Sequence, residues 1–205
     1  VPLMSPSSAS LPSSPSLWIF GYGSLIWNPG FSFIERRRAF AIGFARRMYQ
    51  GNTFHRGDEK LPGRVATLVN RFNSLASGVV FRVAGYDNID EALKHLQERE
   101  VGNGYEFRLV RVVMAEEADS DSEEESEREF LALTCIASAE NSLYLGPAPP
   151  RDMAKQIGAA KGRAGPNHEY VLKLAEHIRA LFPSEKDPHL FGLERRVLSI
   201  LRSSG

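Results

Sequence analysis

Short apolar runs alternate with glycine, asparagine and serine through the first half of the chain, and longer runs with helical spacing fill the second. Leu17–Phe20, Ala39–Phe44, Val65–Val69 and Val79–Val83 are compact β-prone stretches of the kind that form buried strands. From Tyr105 to Val113, apolar residues at 105, 107, 109 and 113 are interrupted by Glu106, Arg108 and Arg111, which predicts a half-buried strand. Phe130–Ala137 predicts another, with Leu131, Leu133 and Cys135 sharing a face. The later pattern changes period. Met153, Ile157 and Ala160 line one side of a helix over Arg151–Ala160, with Gly162 just past its end. Asn167 is placed to cap a second helix carrying Val171, Leu174, Ala175, Ile178 and Leu181 inward, and Leu190, Leu193, Val197 and Leu201 define a third. Strands followed by packing helices predict an α+β fold.

One helix breaks its own pattern. Over Asn88–Glu100 the inward stripe is Ile89, Ala92, Leu93 and Leu96, and four residues further on the same face carries Glu100. A carboxylate there is costly unless paired or neutral, and burial would raise its pKa toward the range useful for proton transfer. The residues alone leave two readings open: a proton carrier, or an acid neutralised by Arg99 where the helix frays. Asn88 and Glu91 form a capping-box pattern, and Glu91 is read as capping and support.

Composition narrows the class. The 205 residues suffice for one domain with a substantial core. Lys+Arg and Asp+Glu both number 25, so no net charge favours nucleic acid or an anionic membrane, and no apolar run approaches a bilayer span. Cys135 is the only cysteine, which precludes an intrachain disulfide and suits a reducing, cytoplasmic setting. Residues 1–16, rich in Ser and Pro, lack the basic start and long apolar run of a secretory signal and are read as a disordered leader. The remainder, 17–205, is one domain. Within it, 116–129 is dense in Asp, Glu and Ser and is read as a solvated loop insertion.

The first apolar run feeds Gly21-Tyr22-Gly23-Ser24-Leu25-Ile26. Closely spaced glycines let backbone N–H groups converge on an anion, although a tight turn alone explains them too. The run lacks the Gly-Lys-Ser/Thr of a phosphate loop, and Ile26 stands where a dinucleotide fingerprint needs its third glycine. The same Ile26 denies Ser24 a nucleophile-elbow motif, Cys135 sits mid-strand, and the five histidines show no zinc spacing, so no metal is expected.

The Gly21–Gly30 run, with its Gly-Tyr-Gly-Ser-Leu loop, resembles the opening of the ChaC-type γ-glutamylcyclotransferases. His55-Arg56-Gly57, Leu61–Leu68, Arg99-Glu100, Gly104-Tyr105, Asn141, Tyr144-Leu145-Gly146, Ala154, Gln156-Ile157, Gly162, Gly165, Asn167 and Glu169-Tyr170 match that family in order, across about residues 17–182. The resemblance implies a small closed or nearly closed mixed sheet flanked by helices. It implies a cofactor-free enzyme whose small-molecule substrate is glutathione: the α-amine of the γ-glutamyl group attacks its own γ-carbonyl, giving 5-oxoproline and Cys-Gly. It makes Glu100 the general acid/base, assigns the glutamyl head to the backbone of Tyr22, Gly23, Ser24 and Leu25, and makes Tyr105 and Tyr144 pocket residues, ordinary packing being the alternative for each tyrosine. Arg56 and Arg64 could meet the glycine carboxylate or be held in ion pairs. The alternatives in function are an enzyme acting on γ-glutamyl amino acids or γ-glutamylamines, and a non-catalytic binding module of the same fold.

Overall fold

The computed structural model describes residues 14–115 and 129–203; the leader up to residue 13 and residues 116–128 of the acidic block lie outside the described residues. Five strands close into a barrel in the order β1-β3-β2-β4-β5, where β1 is Ser16–Gly21, β2 Glu35–Asn52, β3 Gly63–Ala84, β4 Glu106–Met114 and β5 Phe130–Ile136. Every neighbouring pair is antiparallel except β1 and β5, which run parallel and meet at one pair, Ile19 with Leu133. The sheet is therefore mixed and closed, as expected. β1 starts one residue before the expected run: Ser16 pairs with Ala84, and Pro15 accepts a hydrogen bond from Gly85 N at 2.9 Å.

The short runs expected at 39–44, 65–69 and 79–83 are pieces of two long strands. β2 and β3 pair along their length, with register shifts between Ile42 and Phe44 and between Arg47 and Gln50. Such irregularities bend and coil a strand, which lets a long hairpin wrap a narrow barrel. On β4 and β5, Val110, Val112, Ala132 and Thr134 are buried, whereas Leu109 and Leu131 point outward, 62% and 57% exposed. The alternation of β4 is thus offset from the apolar positions 107 and 109, and its inward face is the one carrying Val110 and Val112.

Among the described residues four α-helices pack outside: α1 Tyr86–Arg99, α2 Pro150–Ala159, α3 Asn167–Leu181 and α4 Pro188–Ser203. Two caps differ from expectation. α1 starts at Tyr86 because Gly85, with φ of 88°, turns the chain straight out of β3. Asn88 then lies inside the first turn and donates to Ala84 O at 2.8 Å, so no capping box forms and Glu91 stands exposed. Asn167 is the first residue of α3, fully buried, and its amide is used elsewhere. At α4 the cap is Asp187, whose Oδ1 accepts from Leu190 N at 2.9 Å, with Pro188 opening the helix. Ile178 and Leu174 of α3 and Leu190 and Leu193 of α4 are among the most buried side chains. No helix among the described residues is long and apolar enough to cross a membrane.

Candidate active site

The barrel seam opens where β1 ends. Around that point Thr134 Oγ1 donates to Phe20 O at 2.8 Å and Tyr22 Oη to Cys135 O at 2.5 Å, so side chains supplement the single Ile19–Leu133 pair in joining this edge to β5. Beyond it, Gly21, Tyr22 and Gly23 swing into a single 3-10 turn at Ser24–Ile26. The neighbouring edge of β3 then has no strand beside it. Arg64 and Ala66, two apart, turn their N–H and C=O groups to the same side, and those groups need partners. The Asn167 side chain accepts from Arg64 N at 2.7 Å and donates to Arg64 O at 2.9 Å. Tyr105 Oη donates to Ala66 O at 2.7 Å, and Ala66 N donates to Tyr170 Oη at 3.2 Å.

What remains is a recess of about 40 Å³ lined by Tyr22, Gly23, Ser24, Leu25, Ala66, Glu100, Tyr105, Thr134, Cys135 and Tyr170. Glycine is needed at its lip, since a Cβ on Gly23 would stand 2.9 Å from Tyr170 Oη and one on Gly21 would stand 2.7 Å from Leu25 Cβ.

Glu100 follows the last residue of α1 and continues the face that Leu96 buries. A second 3-10 turn, Val101–Asn103, and Gly104 at φ of 85° bring the chain back, so that Tyr105 N donates to Glu100 O at 3.3 Å. This return places Tyr105 beside Glu100 in the recess. The Glu100 side chain is 16% exposed. Burial raises its pKa, and the adjacent Arg99 guanidinium pulls the other way. Arg99 Nε lies 3.0 Å from Glu100 Oε1, while its other nitrogens donate to Ser24 Oγ at 2.7 Å and Asn28 O at 2.6 Å. One guanidinium therefore ties the acid to the glycine loop. Burial also pushes the Tyr170 phenol and the Cys135 thiol each up to about 12, and raises Tyr22 and Tyr105 well above the ordinary phenol value. Of the titratable groups in the recess, Glu100 is the one whose proton moves nearest neutral pH.

The recess opens into a chamber of about 300 Å³, with Ser24, Glu100, Tyr105 and Tyr170 shared between the two. Its further walls include Asn52, His55, Arg56, His95 and Arg99. The pKa of His55 is lowered, first by burial and then by the charges of Arg99 and Arg56, so both cations are felt in the chamber.

Of the residues singled out from sequence, Tyr22, Gly23, Ser24, Leu25, Glu100 and Tyr105 converge on one recess. Tyr144 does not. It bridges to Gln50, its ring stands edge-on to Tyr49, and Leu145 N and Gly146 N both donate to Tyr49 O, which pins the segment to β2 away from either lining. Arg64 is likewise excluded: buried, it donates to Met48 O, Gly146 O and Gln156 Oε1, neutral acceptors rather than a carboxylate. Arg56 faces the chamber while also pairing with Glu169 at 3.2 Å. Tyr170 and the tethering role of Arg99 were missed. Tyr170 lies on the buried face of α3 beside Val171 and Leu174, where the helical period reads it as core.

A closed mixed barrel whose seam holds a buried acid beside a glycine-rich loop defines a protein that takes a small polar molecule into a desolvated pocket. The chain belongs to the ChaC-like protein family, whose profile matches residues 17–200. It is 42% identical over 188 residues to the glutathione-specific gamma-glutamylcyclotransferase 1 of Danio rerio, covering 91% of each chain. It is 40% identical over 187 residues to the Homo sapiens protein of the same description, covering 91% of this chain and 80% of that one. Its fold matches the crystal structure of the yeast gamma-glutamyl cyclotransferase specific to glutathione with a TM-score of 0.80 at 28% identity, over 90% of this chain and 96% of that one.

Proposed function

We propose that this protein is a glutathione-specific γ-glutamylcyclotransferase, converting glutathione to 5-oxoproline and Cys-Gly with Glu100 as general base and then general acid. The observation that carries this reading is the placement of a desolvated carboxylate in the same recess as the Tyr22–Leu25 loop. The nucleophile is already attached to its target, so no cofactor is called for, and holding the folded γ-glutamyl conformer supplies much of the rate. Glu100, ionised, takes a proton from the α-ammonium; the amine adds to the γ-carbonyl; the carboxylic acid so formed returns the proton to the departing amide nitrogen, and the carboxylate then passes the ring nitrogen's remaining extra proton to the released amine. Backbone N–H groups of the Tyr22–Leu25 loop are the partners for the α-carboxylate. The small recess suits the glutamyl head, and the adjoining chamber, with Arg56 on its wall, suits a leaving half that ends in a carboxylate, which favours glutathione over γ-glutamylamines. A binding module without chemistry has no use for an acid held at this cost. A cytoplasmic site is part of the proposal, supported by the lone, buried Cys135.

The test is incubation with glutathione and detection of both products. Release of 5-oxoproline and Cys-Gly is expected from the unmodified protein, with none from Glu100→Gln while its circular dichroism is unchanged. Turnover by the Gln variant at the normal rate would falsify the assignment of the acid; a parent protein that forms neither product sinks the whole reading.

A further inference from the structure

Three phenols surround Glu100, and their hydrogen bonds make them chemically unequal. A phenol carries one proton to donate and lone pairs to accept with. Tyr22 spends its proton on Cys135 O and Tyr105 spends its own on Ala66 O. Both therefore offer only lone pairs to the recess. Tyr170 is held the opposite way: its oxygen accepts the Ala66 N–H, and no acceptor among the described residues takes its proton. The ring is buried in the core and stands edge-on to Trp27 at 5.8 Å, which fixes where the hydroxyl lies. That hydroxyl lines the recess and closes on Gly23 so tightly that only glycine fits beneath it. A fixed donor with an unspent proton, facing a recess that also holds the general base, is suited to an oxygen that gains charge during the reaction.

We propose that Tyr170 is a catalytic residue, donating its O–H to the γ-carbonyl oxygen as the α-amine adds, while the lone pairs of Tyr22 and Tyr105 face the amine. This rests on the cyclotransferase reading above. In the addition step the N–C bond forms and the carbonyl π pair moves onto oxygen, where the Tyr170 hydrogen bond holds it without proton transfer. In the collapse the carbonyl re-forms and the C–N bond to Cys-Gly breaks as the departing nitrogen takes the proton from Glu100, which, ionised again, relays the ring nitrogen's second proton to the released amine. The high pKa of the buried Tyr170 phenol, about 12, is consistent with a donor that keeps its proton throughout.

Tyr170→Phe preserves the ring and removes the donor. Loss of one such donor lowers kcat by roughly 10²–10³-fold, with KM for glutathione little changed, since the bond strengthens only in the transition state. A wild-type kcat in that variant, or a defect confined to KM, overturns the inference. Should the Phe variant fail to fold, replacing Tyr170 with a fluorinated tyrosine decides. Its more acidic phenol should introduce an alkaline limb in kcat that the parent lacks over the same pH range, whereas an unchanged profile overturns the inference. Product release by the parent protein is measured first: its absence condemns the cyclotransferase reading, and its presence with an unaffected Tyr170→Phe condemns only this step.

Discussion

Arg99 and Glu100 are neighbours in sequence with opposing effects on one proton. Burial raises the Glu100 pKa from the ordinary carboxylate range, and the Arg99 charge restrains that rise. The ionised form starts the reaction, so the acidic limb of kcat/KM should lie above the pH of an ordinary carboxylate. Arg99→Gln removes the restraint and should move the limb to higher pH, with Arg99→Lys partly restoring it; a pH-rate profile reads both, and a limb that stays or falls contradicts the assignment. The plateau should drop as well, because the same guanidinium holds Ser24 Oγ and Asn28 O. The stability consequence has its own sign. A carboxyl whose folded pKa is raised stabilises the fold most below its unfolded pKa and loses that contribution as pH rises through the folded value. At neutral pH, Glu100→Gln should therefore be at least as stable as the parent, which separates lost chemistry from lost folding.

Among the elements, α4 is held to the barrel by polar contacts at its first turn. His189 Nε2 accepts from Met48 N at 3.0 Å, and the capping Asp187 lies 3.4 Å from Arg46 Nε. Arg46 also donates to Tyr22 O and Ser77 O, so the start of α4, the middle of β3 and the glycine loop share one buried cation. Burial, reinforced by Arg47 and opposed by Asp187, pushes the His189 pKa from 6.5 down to about 4. An imidazole kept neutral in the fold contributes stability that is complete above its unfolded pKa and is lost as pH falls toward the folded one. For this shift the loss is on the order of 3 kcal/mol. Urea unfolding should show that decline as pH falls from 6.5 to 4, and His189→Gln, which can still accept from Met48 N, should flatten it; an equally steep decline in the variant would refute the linkage. The same elements show what a sequence can reveal. Helical period located α2, α3 and α4 closely, and it singled out Glu100 because one polar residue interrupted an apolar stripe. Strand lengths were hidden, because β2 and β3 leave the core midway: Phe72 is 90% exposed, within the residues of β3 between Asn70 and Leu75 that fall in the register shift opposite Ile42 and Phe44. Tyr170 was hidden for another reason. Its hydroxyl acquires meaning only through Ala66, 104 residues away, on an edge that β1 is too short to cover.

The whole molecule carries no net charge, with 25 basic and 25 acidic residues, and the chamber outside the recess holds two cations, each beside a carboxylate. Whatever attracts an anionic substrate is therefore local to Arg56 and Arg99 rather than a field of the entire surface. Arg99 is committed to Glu100 and the loop, so Arg56 is the cation best placed to meet the glycine carboxylate, even while it pairs with the more exposed Glu169. A hydrogen bond to a charged group contributes about 1.5–3 kcal/mol, so Arg56→Ala should raise KM for glutathione by roughly tenfold or more and leave kcat largely intact. The comparison that isolates the contact uses glutathione with its terminal carboxylate converted to an amide. The parent should bind that analogue more weakly than glutathione, and Arg56→Ala should treat the two nearly alike. If the variant keeps the full preference for the free acid, the carboxylate is read elsewhere. Glu169→Gln sharpens the test from the opposite side: it frees Arg56 from its present partner, and KM for glutathione, but not for the amide, should then fall.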